Sequence, residues 1–351
     1  MYPRIIINKE KFRHNLKHLL NTCHERNISV MVVSKVFCAD HELMSIIIEE
    51  NADYIADSRI ENLIGISSVI PKVMLRLPSI GDAKNIVQHS DISLNSEFST
   101  IKYLDKYSGE LNKIHRVILM IDLGDLREGI FYEEEVIETV RKILKLKNIK
   151  LMGIGTNLTC YGGIIPSSEN LQKLVDYKEL IEKEFEIELE IISGGNSSNM
   201  ELLLDDKLPK EINNIRLGES IVLGRETAFG NYLDNTYADV FTLEAEIIEI
   251  KEKPSVPVGE VGMNAFGKTP KFVDKGNVLR AILSIGKQDV DHNELIPYDT
   301  VDLIGSSSDH IIVDISDSHN IYEVGDTMLF KLTYSSIMSL MTSKYVTKFH
   351  E

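Results

Sequence analysis

The 351-residue sequence has no tryptophan and only three cysteines, Cys23, Cys38 and Cys160. An odd number of cysteines without short pairing spacings argues against a disulfide framework. No CxxC unit occurs, so no metal centre of the structural-zinc kind is expected. No apolar run approaches the roughly 20 residues that a membrane helix needs. The opening stretch MYPRIIINKEKF carries too short an apolar segment for a secretory signal. A cytoplasmic protein without a membrane partner is therefore expected. Positive charge is also scarce: 38 lysines and arginines face 54 aspartates and glutamates, a formal net charge of −16. Such a chain should repel nucleic acid and tolerate a cationic small molecule.

Apolar residues make up 43% of the chain, enough to bury a large core, and nothing marks a fibrous or disordered class. The length suits one α/β barrel plus a smaller partner domain. From about residue 28 to 225, short runs rich in Ile, Val and Leu alternate with amphipathic helical stretches. The runs lack apolar–polar alternation, as buried parallel strands do. Eight can be read: 29–35, 53–58, 73–77, 91–96, 116–124, 150–158, 189–196 and 213–218. Eight βα units predict a closed (β/α)8 TIM barrel over residues 1–230. Beyond that the pattern changes. FTLEAEIIEI, VLRAILSIG, TVDLIGSS, HIIVDI and TMLFKLTY alternate more, with Gly, Pro, Asn and Asp between them. They predict a C-terminal all-β domain over 231–351, with the KEKPSVPVGE stretch at 251–260 as a loop.

Barrel enzymes collect their chemistry at the C-terminal ends of the strands. Strand one ends at Ser34-Lys35, and strand two at Asp57-Ser58-Arg59. Strand five leads into DLGDLR, which contains Arg127, and strand six ends at Thr156-Asn157. Strand seven ends in SGGNSSN (Ser193, Gly194, Gly195, Asn196, Ser197), and strand eight in RLGES (Arg216, Gly218, Glu219). Glycine lets backbone N–H groups approach an anion closely, and the last two loops are the usual phosphate site of this fold. A pair of tight turns is the plainer reading of the same residues. Lys35 follows the apolar VMVVS, so its amine would lie at the mouth of a buried strand. A nucleophilic lysine beside a phosphate site suggests a pyridoxal-phosphate Schiff base. From strand position alone, a lysine snorkelling to the rim is the simpler alternative. Gly153-Ile154-Gly155 is too common a pattern to count. His14 and His18 lack a third ligand, so metal binding is not expected there.

VVSKVFCAD at 32–40, MIDLGDLREG at 120–129 and IRLGESIVLG at 215–224 resemble three segments of alanine racemases. AILSIGKQDV and IGSSSDHIIVD resemble two further segments in the β-domain. Together with PRIIINKEKFRHNL, ADSRIENL and GIGTNLTCYGG, the set is closer still to the ornithine racemase branch of that fold-type III pyridoxal-phosphate family. The resemblance covers nearly the whole chain. It implies that Lys35 carries pyridoxal 5'-phosphate and serves as one of two proton-transfer bases. It also implies that Arg216 faces the pyridine nitrogen, and that Arg127 holds a substrate carboxylate or cofactor oxygen. Ser193, Gly194, Asn196 and Gly218 would surround the phosphate, with Gly195, Ser197, Asn157 and Glu219 close by. A homodimer is implied, each barrel mouth covered by the partner's β-domain.

The sequence also departs from alanine racemases. Ile285-Gly286 is followed by Lys287 where they carry a tyrosine base. Ala39 stands where a tyrosine usually follows the cofactor lysine by four, and Asn157 replaces a histidine. Lys287, Asp309 and His310 are the candidates for the opposing base, with Lys287 first by alignment. Asp309 and His310 are also substrate-side candidates. The expected activity is racemisation of a free basic amino acid, most readily ornithine. A basic amino-acid decarboxylase and a non-catalytic cofactor carrier are the alternatives, the former kept open by Glu219.

Overall fold

The computed structural model describes residues 1–264, 266–267 and 269–351. The chain divides into two compact units, one of Lys11–Ala238 and one of Met1–Glu10 with Asp239–Glu351.

The first unit is a closed barrel of eight parallel strands. They are Ser29–Val33, Tyr54–Asp57, Lys72–Met74, Ile92–Asn95, His115–Met120, Ile149–Gly155, Ile191–Ser193 and Asn214–Leu217. Five lie inside the apolar runs of the sequence, and Lys72–Met74, His115–Met120 and Ile149–Gly155 each begin one residue before theirs. The ring closes where Ser29–Val32 pairs with Asn214–Leu217. Met31, Val33, Ala56, Val73, Ile92, Ile118, Met120 and Met152 belong to one buried apolar cluster. Their burial explains the unbroken Ile/Val character of the strands, because both faces of each strand are covered. Gly153 has a packing reason: a Cβ there would lie 1.9 Å from the Ile191 carbonyl oxygen. The helix Glu133–Ile143 carries Glu133, Glu134 and Glu135 in its first turn and Arg141 and Lys142 in its last, both favourable to its dipole.

A polar cluster lies within the buried interior. Ser93 Oγ lies 2.8 Å from His115 Nε2 and accepts from Asn95 Nδ2 at 2.8 Å, all three residues being buried. Burial pulls the His115 imidazole down to about 4. An unfolded histidine titrates near 6.5, so the unfolded chain binds the extra proton first. Stability is therefore full above about pH 6.5 and falls by up to about 3 kcal/mol as pH drops towards 4. Denaturant unfolding at pH 7 and pH 4.5 should show this loss, and His115→Gln should remove its share of the pH dependence.

The second unit is an antiparallel sheet with strand order Leu295–Pro297, Thr327–Leu332, Phe241–Pro254, Asn277–Leu283, Ile311–Asp314 and Asp302–Ser306. Arg4–Ile7 pairs antiparallel with residues 241–244 and parallel with Thr347–His350. The five β-domain segments read from sequence all contribute strands. The stretch from 251 differs from its expected loop, because strand pairing continues to Pro254 opposite Asn277. Pro254 is the last paired residue, where its missing N–H costs least. The helix Tyr334–Thr342 also departs from the all-β expectation. Its capping box uses Thr333 and Ser336, not the Glu or Gln that usually marks such a start. Among the described residues, no helix is long and apolar enough to cross a membrane.

Candidate active site

The first barrel strand delivers Lys35 into a single 3-10 turn, Lys35–Phe37. Val36 and Phe37 are buried, and the Phe37 ring meets Phe12 edge-on at 5.6 Å. Lys35 itself is half-buried. The turn ends in two left-handed residues that are not glycine, Cys38 (φ 54°) and Ala39 (φ 50°). Such conformations cost about 1–3 kcal/mol each and persist only where the surroundings impose them. Here the Ala39 N–H closes on Ser34 O at 3.3 Å, and the Cys38 N–H on Lys35 O at 3.3 Å. Ser34 Oγ in turn donates to buried Asp57 at 2.6 Å.

Arg216, on the last barrel strand, is 5% exposed. Its guanidinium donates to Ser193 Oγ at 2.6 Å, Thr156 O at 2.6 Å and Asn157 Oδ1 at 3.1 Å. Burial lowers its pKa to about 10, so it remains a cation at neutral pH. The Ser193 hydroxyl is held between Arg216 and Asn214 Oδ1, the latter at 2.8 Å. Its geometry is that of a group fixing the arginine. Glu219 is bonded by Arg225 through Nε at 2.9 Å and Nη2 at 2.7 Å.

The loops after strands seven and eight are stitched together, with the Ser220 N–H reaching Ser197 Oγ at 3.2 Å. Asn196 spans to the strand-six end, donating to Asn157 Oδ1 at 3.1 Å and Leu158 O at 2.8 Å. Gly195 has φ 133°, a region that side chains avoid, and its carbonyl accepts the Arg216 N–H. A Cβ on Gly218 would press on Val33 at 3.1 Å. Among the described residues, Thr156 Oγ1, Asn157 Nδ2, Ser198 Oγ and Ser220 Oγ are buried without a hydrogen-bond partner. Buried polar atoms normally have partners, so these four call for a polar group from outside the chain. The donor set fits an anionic, hydrogen-bond-accepting ligand. Sequence reasoning missed Ser198, in the 3-10 turn Ser197–Asn199, and Ser220, in the short helix Glu219–Leu223, because a serine carries no mark of its burial.

After strand five, Asp122 Oδ1 accepts the Gly124 and Leu126 N–H groups at 2.8 and 3.1 Å. Asp125 reaches across to the strand-six loop and accepts from the N–H groups of Tyr161 at 2.8 Å and Ile164 at 3.1 Å. Burial alone would raise its carboxyl, but the backbone N–H donors prevail and hold it below the usual range. Arg127 pairs side by side with Glu128 and donates to Cys160 Sγ at 2.6 Å. Truncating Asp125 to alanine should leave those N–H groups unpaired and cost about 2 kcal/mol. Limited proteolysis should then cut within 159–165 faster than in the wild type. An unchanged cleavage rate would show that the carboxylate does not hold the loop.

In the β-unit, Lys287, Asp309 and His310 are brought together. The N–H groups of Lys287 and Gln288 bond Ser307 O and Ser308 O, both at 2.9 Å. A Cβ on Gly286 would fall 2.3 Å from the Asp309 nitrogen, so only glycine allows this approach. Lys287 Nζ lies 3.4 Å from Asp291 and 4.8 Å from the Phe266 ring centre. Asp309 is exposed, bonded by Ser308 Oγ, with His310 Nδ1 at 3.8 Å. Asp289 is buried and accepts from Ser343 Oγ at 2.6 Å. Back in the barrel unit, His14 Nε2 lies 2.8 Å from Asn235 O. No group of three His, Cys, Asp or Glu able to hold a metal ion occurs among the described residues.

Residues 7–226 match the alanine racemase N-terminal domain family. The chain is 45% identical over 350 residues to an ornithine racemase of Acetoanaerobium sticklandii, covering 99% of each. It is 38% identical over 357 residues to a lysine racemase of Thermotoga maritima, covering 100% of this chain and 99% of that one. An alanine racemase structure from Bartonella henselae, with covalently bound pyridoxal phosphate, superposes with a TM-score of 0.74 at 16% identity. That match covers 99% of each chain. The chain belongs to the alanine racemase family.

Proposed function

We propose that this family member interconverts L- and D-ornithine, or a close basic homologue, with pyridoxal 5'-phosphate carried on Lys35. Its class is amino-acid racemase. What carries the reading is one rim: Lys35 in an imposed turn, Arg216 buried as a cation, and donor-lined loops between them. The end-to-end relationship to an ornithine racemase supplies the substrate.

Ser197, Ser198, Ser220 and the amides around Gly195 and Gly218 would hold the phosphate. When bound, the cofactor supplies an electron sink that acidifies the substrate Cα–H bond. Arg216, charged and fixed by Ser193, Thr156 and Asn157, would disfavour a proton on the pyridine nitrogen. That restrains the sink and favours proton exchange over side reactions. Glu219 does not compete for this position, because its carboxylate is engaged by Arg225. This weighs against the decarboxylase alternative.

Lys35 Nζ would remove or return the Cα proton on one face. The opposing base would come from the Lys287–Asp309–His310 cluster of a partner copy's β-unit in a homodimer. Both must reach Cα from opposite sides. Asp309 would also read the substrate's side-chain ammonium, since its carboxylate is exposed, whereas Asp289 is buried and Glu219 is already paired with a cation, Arg225. The hydrogen bond from Ser308 holds the Asp309 carboxyl below its ordinary value, so it is anionic at neutral pH.

The test is incubation with L-alanine, L-ornithine, L-lysine and L-arginine in deuterated water. Deuterium at Cα with loss of chirality is expected for the basic substrates. Exchange confined to alanine would overturn the substrate assignment. Asp309→Asn should raise KM for ornithine about tenfold, the scale of one lost charge-assisted contact. An unchanged KM would remove Asp309 from the substrate side.

A further inference from the structure

We infer that Asp57, acting through Ser34, is a positioning residue that sets where Lys35 Nζ stands. The inference rests on the reading that Lys35 carries the cofactor. Its grounds are the hydrogen bonds that converge on the residue before the lysine. Ser34 is wholly buried. Its N–H donates to Ala56 O at 2.9 Å, and its carbonyl accepts from the Phe37 and Ala39 N–H groups at 3.2 and 3.3 Å. Its hydroxyl donates to Asp57 Oδ2 at 2.6 Å. The turn bearing Lys35 is thus closed on Ser34, and Ser34 is tied to the second strand by Ala56 and Asp57. Because Cys38 and Ala39 both adopt left-handed conformations, local preference does not choose the path of this turn. Its tertiary anchors do.

Asp57 is the last residue of the strand Tyr54–Asp57 and is itself wholly buried. Oδ1 accepts the Arg59 N–H at 2.8 Å, and Oδ2 accepts Asn62 Nδ2 at 3.0 Å beside the Ser34 hydroxyl. None of these donors is a cation. Burial raises its carboxyl above the ordinary range while the donors pull it back. Only a carboxylate offers acceptors on both sides, since asparagine would turn an NH2 towards one of these donors. An apolar residue would leave all three donors without their acceptor. The acid's distinctive effect is to fix the hydroxyl adjoining Lys35, and through it the reach of the lysine amine.

Ser34→Ala and Asp57→Asn test this in the cofactor-loaded enzyme. Two readouts are taken: the pH midpoint of the visible absorption of the lysine–cofactor linkage, and kcat and KM for ornithine. Each substitution should move the midpoint by about half a pH unit or more. Each should lower kcat about tenfold or more, as small misplacements of a reacting group do, with KM within about twofold. Variants that load cofactor and lose only thermal stability, with midpoint and kcat unchanged, would overturn the inference. Should Asp57→Asn fail to fold, Ser34→Ala, which removes a single hydroxyl, carries the same two readouts. A wild-type protein without this absorption would refute the cofactor reading instead.

Discussion

Lys35→Ala should abolish racemisation, lowering kcat by about 10⁴-fold or more, while the fold survives. The size follows from two losses at one atom. A positioned general base is worth about 10²–10⁴-fold, and removing the covalent anchor adds to it. The fold should persist because Lys35 is half-buried in a turn whose buried anchors are Ser34, Val36 and Phe37. Circular dichroism should overlay the wild type, and thermal midpoints should agree within a few degrees. Added small amines should restore part of the turnover, since they supply the missing nitrogen. Residual activity within tenfold of the wild type would remove Lys35 from the chemistry.

Arg216→Ala carries the second large effect, and it should strike stability and turnover together. The guanidinium is buried and serves three acceptors, so truncation leaves Thr156 O and Asn157 Oδ1 each short of a donor. Hydrogen bonds to charged groups contribute about 1.5–3 kcal/mol, and a total near 3 kcal/mol is expected once the void is included. For a unit of this size that corresponds to a fall in Tm of about 6–12 °C. Turnover should drop about 10²-fold or more, as when one preorganised donor is removed from an active site. Arg216→Lys keeps the charge but not the planar fork, and should lie between the two. A variant that loses stability but keeps full kcat would make Arg216 a structural brace only.

The barrel was legible because its signal is redundant. Eight apolar runs with helical patterns between them leave few alternatives, and each strand appears where its run lies. The antiparallel unit was less legible at its edges. Arg4–Ile7 is four residues long and finds its partners 230 or more residues away, a pairing that local pattern does not encode. The helix Tyr334–Thr342 was hidden by an unusual cap. At the site, strand ends exposed Lys35, Arg216 and the glycine loops, because position in a barrel strand fixes direction. They did not show what each side chain does. Ser193 looks like a phosphate ligand in sequence, yet in space its hydroxyl lies between Arg216 and Asn214. In the sequence, Asp57 stands at the end of a strand run and Asp125 within DLGDLR, with nothing to mark what either holds. Their role as acceptors for a neighbouring loop becomes visible only when distant strand ends are set side by side.

The most direct measurement is borohydride reduction of the cofactor-loaded protein followed by peptide mass mapping. A pyridoxyl phosphate adduct on the peptide containing Lys35, in stoichiometric yield, is the expected result. An adduct on any other lysine, or none at all, would contradict the assignment of position 35 as the cofactor anchor.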